Sequence, residues 1–288
     1  MRSYLVGVDG SDRALDALAW ARSVASDDDE IVALHAWEPP TVTSYEGAVG
    51  VDTTPVETAG QQFIDRTIAA ADDARVRGQL AVGHAGRALV DAADEIGPGT
   101  TLVVGHAGSG KAALLVGSIA NYVVHHTDAP VVVVRGECRL PVSTVAVGVD
   151  DGGGDDPDAP SLAALRYAMT LPGVARVEVH HADFVPGVAA GPLSQPGLES
   201  EAEAAEDARL LDTAIERALS GRDLQRNGAE IVPVVGAGTG AFALIEASRS
   251  VDLVVIGTHG RSGLVELILG STSLEVTAHA HCPVVVAR

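Results

Sequence analysis

The sequence has few cysteine, aromatic and basic residues, and each shortage narrows what the protein can be. Its 288 residues include only Cys138 and Cys282. Two cysteines are too few for a disulfide framework, and we treat both as ordinary thiols. Aromatic residues make up 3% of the chain, and the formal net charge is −20. Because nucleic-acid binding needs clustered cations and gains from aromatic stacking, this composition predicts that nucleic acid is not a ligand.

Long apolar runs are also missing. The longest, such as Val131–Val134 and Leu253–Ile256, fall far short of the roughly 18 residues that a membrane span needs, so we predict no span. From Met1 the chain passes almost directly into strand-like residues. It shows neither the apolar stretch nor the small-residue cleavage site of a signal peptide. We therefore expect a cytoplasmic protein.

An internal repeat organises the chain. The segment Val6–Asp9 recurs as Val147–Asp150, and Leu102–Gly105 recurs as Val254–Gly257. Further matching pairs are 34–36 with 180–182, 82–86 with 234–238, and 129–135 with 282–288. Since the length allows two ordinary cores, we interpret the chain as two tandem domains, residues 1–138 and 139–288.

Each half alternates short valine-rich runs with stretches of helical period, which is typical of a parallel sheet covered on both faces. We predict strands near residues 3–9, 31–37, 79–84, 101–105 and 130–135, and then 143–149, 175–181, 229–235, 252–257 and 283–288. The predicted fold class is therefore α/β, with two open doubly wound domains that each contain a five-stranded, mainly parallel sheet. Ligands of such sheets bind at the carboxyl ends of the strands.

The turn after the first strand carries a helix start signal. Apolar residues at positions 14, 17, 18, 21 and 25 form one stripe that can pack on a sheet. Ser11 and Asp12 precede that stripe, and either side chain could accept hydrogen bonds from the free amides of the first turn.

The loop after the fourth strand of the second half has the residues of a phosphate site. Residues 257–263 read Gly-Thr-His-Gly-Arg-Ser-Gly, and residues 270–273 read Gly-Ser-Thr-Ser before a further helical segment. Glycines let the backbone approach a ligand closely, and the free amides at a helix start bind anions. Ser271 and Ser273 add hydroxyl donors, and Arg261 adds a cation.

In combination, these spaced glycines, the Val149-Asp150 end of the first strand and the closing strand at 282–286 resemble the universal stress protein family. The likeness covers nearly the whole chain, as a tandem two-domain member. It implies a Rossmann-like, adenine nucleotide alpha hydrolase-like fold that binds ATP together with Mg²⁺. In that family the closing strands pair domain to domain, which implies that the two halves pair here.

The resemblance also assigns residues. In ATP-binding members, the aspartate that ends the first strand and the residue after the second-strand histidine hold the adenosine. These roles fall on Asp9 and Ala36 in one half and on Asp150 and Ala182 in the other. The full set of predicted nucleotide-binding residues is Asp9, Gly10, Ser11, Ala36, Gly105, Gly108, Lys111, Gly117, Ser118, Asp150, Ala182, Gly257, Gly260, Arg261, Gly270, Ser271, Thr272 and Ser273.

The two halves depart from the family pattern in different places. The first half keeps Asp9-Gly10-Ser11 but has no counterpart of Arg261, and Lys111, the only lysine, is the candidate replacement. The second half has four carboxylates within residues 150–156. Their repulsion of a polyanion weakens ATP binding unless Mg²⁺ bridges the charges. We therefore predict two non-equivalent sites.

Three other patterns are weaker. Residues 105–111 match G-x-x-x-x-G-K, but Ala112 stands where a P-loop needs Ser or Thr for Mg²⁺. The run His279–Cys282 has no matching ligands in the other half, so we favour a surface or packing role over a metal site. His106 and His259 flank the glycine loops, and we assign neither to catalysis. No catalytic residue and no metal ligand is assigned.

Three functions remain open from the sequence. The leading hypothesis is a regulatory module that binds ATP, hydrolyses it slowly at most and acts on an unidentified protein partner, either as a single chain or as a homodimer. The second is an interaction protein of the same fold without nucleotide, in which the strand-end glycines serve only tight turns. The third is an α/β enzyme such as a nucleotide hydrolase or an adenylate-forming ligase.

Overall fold

The structure, a computed structural model, describes residues 1–39, 53–106, 117–149, 159–183, 228–258 and 269–288, with a few positions between 209 and 216. The first half contains β1 (Ser3–Gly7), α1 (Asp12–Val24), β2 (Glu30–Trp37), α2 (Thr54–Ala71), β3 (Val76–Val82), α3 (Ala85–Ile96), β4 (Thr100–Gly105), α4 (Ser118–His126) and β5 (Val131–Val134). The second half contains β6 (Thr144–Gly148), α5 (Pro160–Thr170), β7 (Arg176–Asp183), β8 (Glu230–Ala237), α6 (Gly240–Ala247), β9 (Leu253–Gly257), α7 (Ser271–His279) and β10 (Val284–Ala287).

All ten strands form one continuous sheet, in the order β3-β2-β1-β4-β5-β10-β9-β6-β7-β8. Every neighbouring pair within a half is parallel. Where the halves meet, β5 and β10 pair antiparallel, with Val131 opposite Val286 and Val133 opposite Val284. The α/β class, the ten strands and the pairing of the two closing strands are thus confirmed.

Helices cover both faces of the sheet, as the valine-rich strands require. In β1, Tyr4 and Val6 point to one face and Leu5 to the other, and all three are buried. Residues of α1, α2 and α5 pack on the first face, and residues of α3, α4, α6 and α7 pack on the second. Each face draws on both halves, so one core runs across the junction. Within the described ranges, none of these helices is long and apolar enough to cross a membrane.

The structure corrects two details of the sequence interpretation around the third strand of each half. Strand β3 begins at Val76 rather than near residue 79. Its early residues lack clear alternation because Gly78 lies under Ile64 and Ile68, whose side chains fill the space that a Cβ would take. The repeat also aligns differently here. Gly83 corresponds to Gly238, since each has a positive φ, 112° and 106°, directly before a helix N-cap.

One strand differs in polarity between the halves. Leu34 of β2 pairs with Gly7, and its counterpart in β7 is His180, which pairs with Gly148. The imidazole Nε2 of His180 lies 3.3 Å from the carboxylate of Glu178, a contact that replaces two apolar side chains of the first half. Burial lowers the pKa of His180. The imidazole is therefore neutral near pH 7, and the pair adds polarity under α6 without a buried charge on the histidine.

The link between the halves is fixed by a backbone contact. Gly136, two residues after the end of β5, has a φ of 57°, and a Cβ there would lie 2.1 Å from the carbonyl oxygen of His281. The amide of Glu137 donates a hydrogen bond to the same oxygen at 2.8 Å. The chain can leave the sheet at this point only because residue 136 has no side chain.

We expect Gly136→Ala to destabilise the fold by more than ~3 kcal/mol, since it combines left-handed strain with a backbone clash. Gly173→Ala is the matched control. Gly173 also has a positive φ, 75°, but among the described residues, its two chain neighbours aside, no atom lies within 4 Å of the Cβ position. Its cost should therefore be the strain alone, ~1–2 kcal/mol. Urea unfolding measures the free energy of unfolding of both variants. Equal losses would show that the contact with His281 does not contribute to stability.

A charge cluster ties α1, α2 and the start of β3 together. The carboxylate of Asp73 lies 2.8 Å from Nη2 of Arg75 and 3.1 Å from Nε of Arg22. The guanidinium of Arg75 also donates to the carbonyl of Ala25 at 2.6 Å. Hydrogen bonds from Arg75 hold the pKa of Asp73 well below its usual range. A group with a depressed folded pKa stabilises the fold above its unfolded pKa, and that stability is lost as pH falls through the folded pKa.

We expect Asp73→Asn to lower the free energy of unfolding by ~2 kcal/mol at pH 7, the usual scale for hydrogen bonds to a charged group. The gap to the parent protein should narrow as pH is lowered from 4 towards 2. Asp28→Asn, at an exposed carboxylate in the same region, controls for net charge and should change little. Urea unfolding at several pH values tests this, and a gap that persists unchanged in acid would contradict it.

Candidate functional site

The carboxyl ends of the central strands form a crevice in each half. Strand β1 lies between β2 and β4, and β6 lies between β7 and β9. The chain leaves β1 towards one side of the sheet and returns through β4 on the other, so the connecting segments diverge above this point. Open α/β sheets bind ligands at such a switch point. Both halves therefore have a candidate site on the expected edge.

In the first half the crevice is flanked by a tight turn at Asp9. The backbone amide and the hydroxyl of Ser11 both donate to Oδ1 of Asp9, at 2.9 and 2.6 Å. Between them, Gly10 has a φ of 85°. The Ser11 hydroxyl also accepts from the amide of Ala14 at 3.2 Å and caps α1, as predicted. The Asp9 carboxylate is exposed but held in one orientation by the residue that starts the helix.

The second half begins its first helix differently. Helix α5 starts with Pro160, and its N-cap, Ala159, makes no side-chain cap hydrogen bond. A proline at this position fixes a helical φ without losing an amide bond. The start is therefore fixed by proline rather than by a capping hydroxyl. The two crevices therefore differ in how the adjacent helix begins. The non-equivalence predicted from Arg261, Lys111 and the acidic run at 150–156 concerns residues outside the described ranges and stays a prediction.

A histidine fixes the end of the first strand in each half. Nδ1 of His35 lies 2.8 Å from the carbonyl oxygen of Val8, and Nδ1 of His181 lies 3.3 Å from that of Val149. The histidine on the second strand thus holds the turn that leads towards Asp9 or towards the segment after Val149. In the sequence these histidines only mark the repeat, and their contacts with the two carbonyls become visible in the fold.

The residues after these histidines lie beside the crevice. Strand β1 ends its pairing with β2 at Leu34, apart from the amide of Val8, which donates to the Leu34 carbonyl at 2.9 Å. Ala36 therefore pairs only with β3, opposite Ala81. Ala182 is placed likewise, opposite Gly236 and beyond the end of β6. On the side away from β3 or β8, the backbone at each alanine has no strand neighbour among the described residues.

An aromatic side chain that the sequence analysis missed lies against the first crevice. The ring centroid of Phe63, on α2, is 4.6 Å from that of His35. A Cβ on Gly10 would lie 3.2 Å from the Phe63 ring, so the ring rests on the Asp9 turn. Phe63 is half-buried. Only the packing of α2 over β2 and β3 reveals it, because no motif surrounds it in the sequence.

Gly105 and Gly257 have a clear packing role. A Cβ on Gly105 would lie 2.7 Å from the carbonyl group of Arg13, and one on Gly257 would lie 2.5 Å from that of Pro160. Each glycine lets the first turn of the first helix of its half, α1 or α5, lie directly against the end of the fourth strand. Helix packing alone explains these two glycines, and a ligand contact at either stays a prediction.

Helices α4 and α7 begin at the same edge and lack side-chain caps. Their N-caps are Gly117 and Gly270, and neither receives a side-chain cap hydrogen bond. The first-turn amides of a helix have no partner within it and carry a partial positive charge. Ser118, Ser271 and Thr272 are exposed at these starts. Both helices can therefore present amides to an anion.

Ser273 has a different role from the predicted one. Its hydroxyl donates to the carbonyl oxygen of Gly257 at 2.7 Å, and the residue is buried. The amide of Gly270 donates to the carbonyl of Thr258 at 2.8 Å. Ser273 thus fastens α7 to β9 instead of offering a hydroxyl to a ligand. The other predicted residues of these loops, Gly108, Lys111, Asp150, Gly260 and Arg261, lie outside the described residues.

The histidines and cysteines weighed in the sequence do not gather into a site in the described ranges. His106 is buried and its amide donates to the carbonyl of Val134 at 2.8 Å. Burial raises the pKa of Cys138 to about 11 and that of Cys282 to about 12, which makes both thiols inert. Among the described residues, no group of three or more His, Cys, Asp or Glu could hold a metal ion.

The chain matches known proteins in family and in sequence. A family model described as the Universal stress protein family matches residues 1–135 and again 143–288. A universal stress protein of Mycobacterium tuberculosis is 28% identical over 312 residues, which cover 99% of this chain and 94% of that protein. One from Mycolicibacterium smegmatis is 28% identical over 301 residues, covering 99% and 96%.

Solved structures show the same architecture. A universal stress protein from Archaeoglobus fulgidus matches with a TM-score of 0.65 at 18% identity, covering 99% of this chain and 98% of that one. A putative universal stress protein from Pseudomonas aeruginosa matches with a TM-score of 0.64 at 14% identity, covering 100% and 93%. At these identities the structural matches support the fold alone.

We expect Ser11→Ala to cost ~1 kcal/mol of stability as a lost helix cap, and more through the lost donor to Asp9. Thr239→Ala is the matched control, since Thr239 caps α6 through the amide of Phe242 at 3.2 Å but lies in the other half. Urea unfolding compares the two. If Ser11→Ala costs no more than Thr239→Ala, the contact between Ser11 and Asp9 contributes nothing.

Proposed function

Because the chain belongs to the universal stress protein family through two tandem domains, we propose that it is a regulatory module that binds ATP. The observation that carries this proposal is the pair of helices α4 and α7, each with a glycine N-cap and no capping side chain. Backbone amides at such starts bind phosphate without requiring a charged side chain. Such backbone amides can bind phosphate in an acidic protein that has a single lysine, because they supply the positive potential without a basic side chain.

The position of Asp9 is a second argument for a nucleotide, because its carboxylate could accept hydrogen bonds from a nucleoside at the same edge of the sheet. A carboxylate accepts hydrogen bonds from neutral sugar or base donors, whereas beside the phosphates it would repel them. Asp9 lies in the turn after β1, and α4 is the next described helix after β4, so the acceptor and the anion site belong to the connections that follow two adjacent strands. A ligand with neutral donors at one end and negative charge at the other fits this order. ATP is such a ligand.

Mg²⁺ enters the proposal with the nucleotide. The described residues include no cluster that could hold a metal by itself. Mg²⁺ commonly binds through phosphates with one or two carboxylates. Asp9 is the described carboxylate at the first crevice, and the acidic run at 150–156 follows β6 in the second. The cation would neutralise triphosphate charge that these carboxylates oppose.

We propose regulation rather than turnover. The described side chains that flank the first crevice include the Asp9 carboxylate, the hydroxyls of Ser11 and Ser118, and the Phe63 ring. The His35 imidazole lies beneath that ring, with Nδ1 in contact with the Val8 carbonyl. A general base needs a tuned pKa close to a reacting water, and phosphoryl transfer gains most from a cation at the transition state. On this basis ATP hydrolysis would be slow. The protein partner that reads the nucleotide state, and a homodimer, both stay predictions.

A second candidate is an interaction protein of this fold that binds no nucleotide. The packing of Gly105 and Gly257 against helix backbones favours it, because that packing explains both glycines without a ligand. Ser273 likewise serves the fold. Mass spectrometry of small molecules released from freshly purified protein separates the candidates. Released adenine nucleotide supports the first, and a protein that also takes up no MgATP in calorimetry supports the second.

We expect the full chain to bind MgATP in titration calorimetry and Asp9→Ala to weaken the affinity roughly tenfold, the scale of lost hydrogen bonds to a charged acceptor. The control is Asp12→Ala, which removes an exposed carboxylate three positions further along, in the first turn of α1. It should leave affinity unchanged or raise it slightly, since a negative charge near the triphosphate is lost. If Asp9→Ala strengthens binding as well, Asp9 does not accept from the nucleoside.

A further inference from the structure

Each half sends an arginine into the other half. Arg135 follows β5, and its Nη1 donates to the carbonyl oxygen of Thr277 in α7. Arg288 follows β10, and its Nη2 donates to the carbonyl oxygen of Val124 in α4. Val124 and Thr277 are each the third residue from the end of their helix. The two contacts are thus equivalent and crossed.

The crossing follows from the sheet. Strands β5 and β10 run antiparallel, with Val132 opposite Val285 at the middle of the ladder. Each strand therefore ends beside the amino end of its partner, on the far side of the junction. The residue after each strand therefore meets the helix that precedes the partner strand. Arg135, after β5, meets α7, which precedes β10, and Arg288, after β10, meets α4, which precedes β5.

The helix ends supply the negative charge that each arginine meets. The last four carbonyls of a helix have no partner within it, and the macrodipole makes that end partly negative. A cation that donates to such a carbonyl satisfies one of these acceptors. The acceptor in each contact is a backbone carbonyl oxygen, so the side chain at that position, valine in α4 and threonine in α7, does not matter for the contact.

Arg135 is costly to bury, which argues that its contact has weight. The residue is 7% exposed. Burial lowers its pKa to about 10, and within the described ranges no carboxylate forms an ion pair with it. Its Nε has no hydrogen-bond partner there either. A buried cation without a counterion needs a compensating interaction, and the α7 carboxyl end provides it.

The same two helices present their other ends to the candidate nucleotide sites. Each has nine residues and hence a length of ~13 Å, and a helix this short moves as a rigid rod. Fixing the carboxyl end of α7 therefore also restricts Gly270 and Ser271 at its amino end. The same holds for α4 and Gly117.

We propose that Arg135 and Arg288 are crossed positioning residues, each of which sets the phosphate-binding helix of the opposite half. This inference rests on the proposed function for its nucleotide part, but the bracing of the helices can be tested without nucleotide. It predicts that each half's affinity for nucleotide depends on an arginine supplied by the other half.

Hydrogen–deuterium exchange of the full chain, read by mass spectrometry over residues 117–126 and 269–279, resolves the two helices. Without nucleotide, we expect Arg135→Gln to speed exchange in the carboxyl half of α7 and to leave α4 unchanged. Arg288→Gln should do the opposite. A general loss of stability would affect both helices, so the crossed pattern separates positioning from a merely structural role. Arg135→Lys keeps the charge and a donor, and should restore most of the protection.

The nucleotide arm repeats the measurement over a range of MgATP concentrations. For each helix that MgATP protects in the parent protein, we compare the MgATP concentration that gives half protection. It should rise roughly tenfold for α7 in Arg135→Gln and for α4 in Arg288→Gln, the scale of one charge-assisted hydrogen bond. The other variant is then the control. Should either glutamine variant fail to fold, its lysine counterpart carries the same comparison with a smaller shift.

The outcomes separate the two proposals. If MgATP protects neither helix in the parent protein, the proposed function fails, while the exchange pattern without nucleotide still decides the bracing. If Arg135→Gln disturbs α4 as much as α7, or disturbs neither, the crossed positioning is overturned whatever the nucleotide does.

Discussion

The antiparallel pairing of β5 with β10 is the contact on which the rest of this structure depends. Each half alone would end in a valine-rich strand of four residues with an open hydrogen-bonding edge, and such edges favour uncontrolled pairing with other strands. Joining them makes a ten-stranded sheet and lets the cores on both faces run from one half into the other. Gly136, the antiparallel register and the crossed arginines are all consequences of how closely the two edges meet.

The candidate sites lie at the carboxyl ends of other strands, and backbone groups form most of their contacts too. Strand ends are held by histidine contacts to backbone carbonyls, the Asp9 turn is held by Ser11, and two helices start with bare amides. Little of this depends on side-chain charge. A chain with a large acidic excess could not easily concentrate cations at a phosphate site, whereas a helix start supplies positive potential wherever the fold places it.

The sequence predicts those parts of the molecule that local pattern determines. The ten strands follow from valine-rich runs, and the Ser11 cap follows from its place before an apolar stripe. The pairing of the closing strands comes from the family resemblance. Other features depend on residues far apart in the chain. Phe63 reaches Gly10 only through helix packing, and the hydroxyl of Ser273 turns to Gly257 only because α7 docks on β9.

A tandem chain has a freedom that a symmetric pair of identical subunits lacks. In a twofold dimer every substitution appears twice, so a change that suits one crevice is imposed on both. Here the two copies have already diverged: Ser11 starts one helix where Pro160 starts the other, and His180 stands where Leu34 does. The covalent link also makes the pairing of the halves independent of protein concentration. Residues of one crevice can therefore change while those of the other stay as they are, and the two halves remain paired at any dilution.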